Sequence, residues 1–451
     1  ESDESHQKML NVLQSVHNAG VYEHVSFGGR TLAKKKQELE YVKYIPDAHF
    51  DSLLAIADHH LWLGETTEAI SVYKNAFDLL DQNELIVSPK VRHRLLFLTG
   101  LAHLRLGENT NCVHCNNGAS CLFPIAGEGI HEDPLGSQEA IVFFTKALEL
   151  VPNDWTSRWL LNIANMTIGS FPDGVPVRHR LLTEDLTSER EFPRFQNIAG
   201  EIGLNVTSLS GGSIVDDFDG DGDLDVIVSS WGESDELQFF RNDNGQYVEQ
   251  SEAANFSGLY GGLNLIQSDY DNDGDLDVLV LRGAWLGEAG RIPNSLLEND
   301  GRGRFNDVAF ACGIAVPAYP SQTAAWLDFD NDGDLDLYVG NENYPSQLFE
   351  NLNDQQFRDI AEIAGVKNMR YAKGVTAGDY NEDGFPDIYV SNYGQANRLF
   401  LNNHGSTFTD VAEEMGVDEP IDSFPTWFWD FDQDGHLDLF VAGYTTEISC
   451  L

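Results

Sequence analysis

A nine-residue acidic pattern, D-x-D/N-x-D-G-x-x-D, recurs five times in the second half of this 451-residue chain. The first copy places Asp217, Asp219, Asp221, Asp223 and Asp225 around Gly222. The second carries Asp269, Asp271, Asp273, Asp275 and Asp277, and the third Asp328, Asp330, Asp332, Asp334 and Asp336. The fourth reads Asp379, Asn381, Asp383, Phe385 and Asp387 at the same positions, and the fifth Asp430, Asp432, Asp434, His436 and Asp438. Successive copies start 52, 59, 51 and 51 residues apart. A near-constant period of about 50 residues marks a repeat architecture.

The spacing has a chemical reason. Carboxylates at positions 1, 3, 5 and 9 of a tight loop converge on one hard cation, position 7 adds its backbone carbonyl, and glycine at position 6 permits the turn. An all-oxygen donor set favours Ca²⁺ over zinc or copper. Mg²⁺ prefers a smaller octahedral site that keeps several waters. A single copy would also read as a solvated acidic turn, but five at even spacing argue for about one Ca²⁺ per loop. The last acid stands at position 9 and a strand follows, which sets the loop apart from an EF-hand.

With 27 Lys+Arg against 73 Asp+Glu, the formal net charge is −46. That field repels nucleic acid and anionic membranes and leaves cations, basic partners or plain solubility. At 42% hydrophobic residues the chain supports real cores. No apolar run is long enough to span a bilayer. Loops of this kind suit millimolar Ca²⁺, so an extracellular, periplasmic or cell-surface setting is expected. A chain that begins at Glu1 fits processing of a longer precursor.

The first half reads differently. Residues 1–48 look helical and solvated, with a charged run at Lys34-Lys35-Lys36. Over 49–169, Leu53, Leu54, Ala57 and Leu61 keep a helical period up to Gly64, and Ala69, Tyr73, Ala76 and Leu80 continue it in a second helix. Leu61, Leu63, Gly64, Ala69 and Tyr73 resemble a tetratricopeptide repeat. A second copy starts near Val91, its partner helix displaced to Ser137–Leu150, and a third first-helix spans Trp155 to Gly169. Such stacks present a concave face to partners. Residues 170–193 read as a linker and 194–451 as the repeat domain.

An insertion at 108–135 breaks the second helical pair and carries Cys112, His114, Cys115, Cys121 and His131. One reading is a disulfide staple, most simply Cys112–Cys121, in an oxidising compartment. The other is a transition-metal or redox site built from His114, His131 and a thiolate, although the spacing is not that of a zinc finger. His59, His60 and His103 lie on nearby helices.

Each acidic loop is followed by an alternating strand and then by a strand ending in Asn: Asn242, Asn299, Asn351 and Asn402. An aromatic opens the next unit, at Tyr247, Phe305, Phe357 and Phe408. Four short strands per unit indicate a propeller blade. The acidic loop, the L-F-x-N strand and the F-x-D-x-A segment resemble the FG-GAP/VCBS repeat of integrin-α-like propellers. With a helical-repeat domain in front, the whole resembles the CRTAC/ASPIC group of secreted proteins. The fold class expected is therefore α+β multidomain, a TPR-like α-helical domain followed by a Ca²⁺-binding β-propeller with five blade motifs, the last incomplete.

That resemblance implies an extracellular, calcium-dependent module for adhesion, recognition or assembly, with a protein or glycan partner. An open edge at the incomplete blade would permit self-association by strand addition. The competing expectation is a metal-dependent enzyme or transition-metal carrier centred on the Cys/His insertion. No G-x-S-x-G, H-E-x-x-H, phosphate loop or dinucleotide fingerprint supports an enzyme. Asn205 and Asn255 head glycosylation sequons, and the cluster from Phe424 to Trp429 reads as blade core or, alternatively, as a sugar-stacking surface.

Overall fold

The structure is a computed structural model that describes residues 2–19, 29–82, 85–112, 123–186, 195, 198–206, 208–352 and 356–444. The chain forms two compact units, Tyr22–Glu201 and the pair of segments Glu1–Val21 and Ile202–Leu451. The helices are α1 (Ser2–Ala19), α2 (Gly29–Val42), α3 (Pro46–Trp62), α4 (Thr66–Gln82), α5 (Pro89–Asn111), α6 (Leu135–Leu150) and α7 (Trp155–Thr167), with one-turn helices α8 (Ala199–Ile202), α9 (Ala309–Cys312), α10 (Ala361–Ala364) and α11 (Ala412–Met415).

In the helical unit α2 to α7 pack in sequence order, each on the next. Prolines at the first turn start α3 and α5, where a missing N–H costs nothing. Ser88 caps α5 by accepting from Val91 N, and Asp154 caps α7 by accepting from Thr156 N and Ser157 N. One core gathers Phe50, Leu54, Ala57, Tyr73, Ala76 and Leu95, and a second gathers Leu104, Ala140, Phe144, Leu148 and Leu161. Although the insertion separates them in sequence, α5 and α6 run antiparallel in close contact. A Cβ on Gly136 would lie 2.6 Å from Gly107 N, so only glycine allows that crossing. The proline-rich stretch after α7 is partly packed: Val175 and His179 are buried, and Asn162 and Arg158 of α7 both donate to His179 O.

The other unit holds eighteen named strands: β1 (Ser213–Asp216), β2 (Asp225–Val228), β3 (Gln238–Asp243), β4 (Gln246–Glu249), β5 (Asn264–Ser268), β6 (Asp277–Leu281), β7 (Ser295–Asn299), β8 (Phe305–Asp307), β9 (Ser321–Leu327), β10 (Asp336–Asn341), β11 (Gln347–Asn351), β12 (Phe357–Asp359), β13 (Ala372–Gly378), β14 (Asp387–Asn392), β15 (Arg398–Asn402), β16 (Phe408–Asp410), β17 (Ser423–Trp429) and β18 (Asp438–Gly443). They form four antiparallel four-stranded meanders, β1–β4, β5–β8, β9–β12 and β13–β16, and a pair, β17–β18. The first strands of successive sheets pack on one another, β1 on β5, β5 on β9, β9 on β13 and β13 on β17. Second strands β6, β10 and β14 are buried along their whole length, as strands covered on both faces must be. Between the third and fourth sheets a core forms from Phe329, Tyr338, Leu348, Ile388, Val390 and Phe400.

Two features differ from the sequence reading. The aromatic that opens each sequence unit, as in Phe305, Phe357 and Phe408, starts the fourth strand of the preceding sheet and pairs with its Asn-bearing third strand. The structural unit is therefore offset from the sequence repeat by one strand. The polar first helix, expected to be solvated, instead docks on the second sheet. Met9 and Leu13 of α1 are buried, Ser5 Oγ accepts from Phe310 N and Ala311 N, His6 Nδ1 accepts from Asp307 N at 3.0 Å, and His17 stacks on Tyr260.

Candidate metal centre

The five acidic loops each join the first and second strands of a sheet, and they share one internal hydrogen-bond scheme. In the first, Asp217 at position 1 accepts from Asp221 N and Gly222 N at 3.1 and 2.9 Å. Asp269, Asp328, Asp379 and Asp430 repeat this with the amides at positions 5 and 6. The position-5 carboxylate accepts from the amide at position 7, as Asp273 does from Asp275 N at 2.9 Å. These bonds fold each loop inward.

Glycine at position 6 has φ of +90 to +97° in all five loops, the left-handed region that glycine enters without cost. Position 4 is left-handed too, at Gly220, Asn272, Asn331, Glu382 and Gln433. The sequence signal for this turn is Gly220, Asn272 and Asn331, residue types that tolerate positive φ.

Position 9 anchors each loop to its sheet. Asp225, Asp277, Asp336 and Asp387 are buried at the head of the second strand. Each accepts from the amide at position 2 and from the third-strand Asn amide; for Asp336 these are Phe329 N at 3.1 Å and Asn351 N at 2.8 Å. Burial pushes these carboxyls up, to about 6 for Asp225 and Asp387 and about 8 for Asp277 and Asp336, against the pull of the amide donors. Asp219 and Asp330 at position 3 are also raised, by burial and then by the neighbouring Asp221 and Asp332. Several acids held this close resist ionising together unless a cation joins them.

Ligand atoms of Asp217, Asp219 and Asp225 lie within 4.8 Å of one another, as do those of Asp269, Asp271 and Asp273, of Asp328, Asp330 and Asp332, and of Asp430, Asp432 and Asp438. Oxygens bound to one Ca²⁺ at 2.3–2.6 Å stand at most about 5 Å apart, so the clusters have the right size for that ion. In the fourth loop Asn381 replaces one acid; its Oδ1 accepts from Asp383 N at 3.0 Å and keeps the fold of the loop. Position-7 side chains turn elsewhere: Asp223 accepts from Asn244 N, Asp334 from Asn272 Nδ2, and Phe385 packs edge-on to His404.

The Cys/His insertion is described in part. Cys112 Sγ lies 3.6 Å from His131 Nε2, and His131 Nδ1 lies 3.2 Å from Ser137 Oγ, which accepts from Thr167 Oγ1 at 2.8 Å. Burial lowers the His131 pKa and favours the neutral imidazole. His114, Cys115 and Cys121, and with them the Cys112–Cys121 staple, lie outside the described residues. His103 stacks on Phe143 and His60 pairs with Glu65. Cys312, in the other unit, is buried and its thiol is pushed up to about 12, so it is inert at neutral pH.

Other sites also resolve. The Asn255 side-chain amide donates to Phe305 O and Asn306 Oδ1. The cluster from Phe424 to Trp429 is not blade core throughout: Trp427 stacks on Phe440 at 4.3 Å, yet Trp427, Trp429 and Phe431 remain exposed among the described residues. No helix among the described residues is long and apolar enough to cross a membrane.

Comparison with known proteins agrees with the repeat. Residues 217–280, 328–390 and 379–441 match the FG-GAP-like repeat family. The chain is 28% identical over 248 residues to human cartilage acidic protein 1, covering 50% of this chain and 37% of that protein. The mouse protein is 26% identical over 288 residues, covering 57% and 44%. The Xenopus tropicalis protein is 36% identical over 115 residues, covering 24% and 18%. The matched region thus spans less than half the length of each relative. Among solved structures, the Vibrio cholerae biofilm matrix protein Bap1 is similar at TM-score 0.31 and 14% identity, covering 52% of this chain and 35% of that one, too low a score to establish a shared fold. The chain thus carries FG-GAP-like repeats and is homologous over part of its length to cartilage acidic protein 1.

Proposed function

We propose that residues 202–451 form a calcium-stabilised β-propeller that serves macromolecular recognition outside the cell. The observation that carries this reading is the recurrence of one inward-folded acidic loop at the same place in five successive sheets, with four of the clusters inside the span of a single Ca²⁺ shell. Packing of each first strand on the next supports a radial arrangement of blades around these inner strands. The residues that would hold the ion are the acids at positions 1, 3, 5 and 9, Asn381 in place of position 3, and the position-7 carbonyls. Bound calcium supplies the positive charge that lets these carboxylates ionise together. The chain supplies the geometry and a rigid frame for a protein or glycan partner. The net charge of −46 and the relatives' group support an extracellular setting.

The test is thermal unfolding in millimolar calcium and in excess chelator. At free Ca²⁺ ten times its dissociation constant, each site adds about 1.4 kcal/mol. Several sites then amount to a large share of a typical domain's margin of about 5–15 kcal/mol. A strong drop in melting temperature on chelation is expected, and unchanged melting overturns the reading. The contact between Cys112 and His131 favours a second reading for the helical unit, a transition-metal site in the insertion. About one equivalent of zinc, copper or iron per purified chain, lost in His131→Ala, is its expected signature; no such metal in the intact chain refutes it.

A further inference from the structure

Neighbouring acidic loops are tied to one another by side chains other than the acids at positions 1, 3, 5 and 9. The Asn that ends the third strand of the second, third and fourth sheets lies between two loops. Asn299 Nδ2 donates to Leu276 O at position 8 of its own loop (3.1 Å) and to Phe218 O at position 2 of the preceding loop (2.9 Å). Asn351 joins Leu335 O to Tyr270 O (3.3 and 3.1 Å), and Asn402 joins Pro386 O to Phe329 O (3.0 and 2.8 Å). All three are buried. Position 2 lies between two ligand residues, and so does position 8. These bridges therefore grip the peptides that carry the ligands.

A second set of links runs along the exposed side from the left-handed position 4. Asn272 Nδ2 donates to Gly333 O and Asp334 Oδ1 of the next loop at 3.2 and 2.9 Å. Asn331 Nδ2 donates to Gly384 O of the loop after that at 2.8 Å. Glu382 of the fourth loop pairs with His436 of the fifth. Every consecutive pair is thus joined: loops one and two through Asn299, two and three through Asn272 and Asn351, three and four through Asn331 and Asn402, and four and five through Glu382 and His436.

We propose that the five loops take up calcium cooperatively, filling of one loop ordering its neighbour through these asparagine bridges and the Glu382–His436 pair. The proposal rests on the reading of the loops as cation sites. A position-7 carbonyl cannot settle on an ion without moving its own peptide, and the residues flanking it are hydrogen-bonded across to the adjacent loop. Ordering one loop therefore removes part of the conformational cost of ordering the next, which is positive coupling between sites. An inter-site coupling at the low end of the usual range raises the affinity of a loop about five-fold when its neighbour is filled.

The first loop supplies a natural control, because Gly220 stands at position 4 where Asn272 and Asn331 stand in the next two. Glycine suits the left-handed backbone there, so Asn272→Gly with Asn331→Gly keeps the loop conformation and removes only these two outer links, leaving Glu382–His436 and the inner bridges in place. The experiment is an equilibrium calcium titration of the full chain, wild type against this double variant, reading stoichiometry and Hill coefficient. Cooperative coupling requires a wild-type Hill coefficient above one that falls toward one in the variant while the number of ions bound is unchanged. Binding with a Hill coefficient of one in the wild type overturns the coupling, and the same coefficient above one in both proteins overturns its passage through Asn272 and Asn331; either result leaves the cation sites standing. If neither protein binds calcium, the cation sites fail and the coupling with them.

Discussion

Asp336→Asn separates the two roles of a position-9 carboxylate. The side chain is buried and accepts from Phe329 N and Asn351 N through different oxygens. An amide of the same shape keeps one acceptor and turns an NH₂ toward the other donor, so one buried amide loses its partner. With the Asp336 carboxyl pushed up to about 8, the metal-free group is largely protonated at neutral pH and little charge is lost. The cost without calcium is then that of one buried unsatisfied donor, about 1–3 kcal/mol. With calcium at ten times the dissociation constant, a site that no longer binds forfeits a further ~1.4 kcal/mol. For a unit of this size 1 kcal/mol shifts the melting temperature by about 2–4 °C. Melting of wild type and variant, each with calcium and with chelator, forms a four-way comparison. The variant should lose ~3–6 °C more in calcium than in chelator. An equal loss under both conditions would refute a ligand role for Asp336.

Three more outcomes follow from the same geometry. Asp225, Asp277, Asp336 and Asp387 have carboxyls raised above their unfolded values, so in the metal-free protein they contribute stability below about pH 4 that is lost as pH rises through about 6 to 8. Melting in chelator should therefore fall from pH 5 to pH 8 while the increment gained on adding calcium grows; a chelated protein that becomes more stable over that range contradicts the burial argument. Lys373 and Glu342 form a buried ion pair, 0% and 1% exposed, with Lys373 Nζ 3.1 Å from the centre of the Trp285 ring. Glu342→Gln should cost about 3–5 kcal/mol in denaturant unfolding, and adding Lys373→Met should recover much of it; additive losses would mean the pair is not coupled. Gly283 has φ of +83°, and a Cβ there would sit 1.8 Å from Gly290 O. Gly283→Ala should lower the melting temperature of the repeat unit by more than ~6 °C and alter Trp285 fluorescence, and neutral behaviour would show that the turn relaxes freely.

The acidic loops were legible because ligand geometry imposes itself on spacing: acids at positions 1, 3, 5 and 9 with Gly at 6 have few other uses. The third strands were legible as well, since each ends in an Asn after an apolar pair. What the Asn does was not. Asn299, Asn351 and Asn402 look like turn residues in sequence, but their amides reach carbonyls 73 to 81 residues earlier in the chain. The placement of α1 was hidden for the same reason. Its buried face combines Met9 and Leu13 with polar Ser5 and His6, whose partners near Asp307 lie more than 300 residues away. Nothing local in the sequence marks Lys373 and Glu342, which only tertiary structure buries together. The Cys/His pair was found by composition, but the 3.6 Å approach of Cys112 to His131 depends on the tight crossing of α5 and α6 at Gly107 and Gly136.

Counting bound calcium addresses the central claim most directly. The purified 451-residue chain, equilibrated against a defined millimolar calcium buffer and assayed by mass spectrometry of the elements, should carry about five Ca²⁺ per chain, and an Asp217→Ala, Asp269→Ala, Asp328→Ala variant that still folds should carry about two. A wild-type chain that binds no calcium at that concentration, or a triple variant that binds as much as the wild type, would contradict the account.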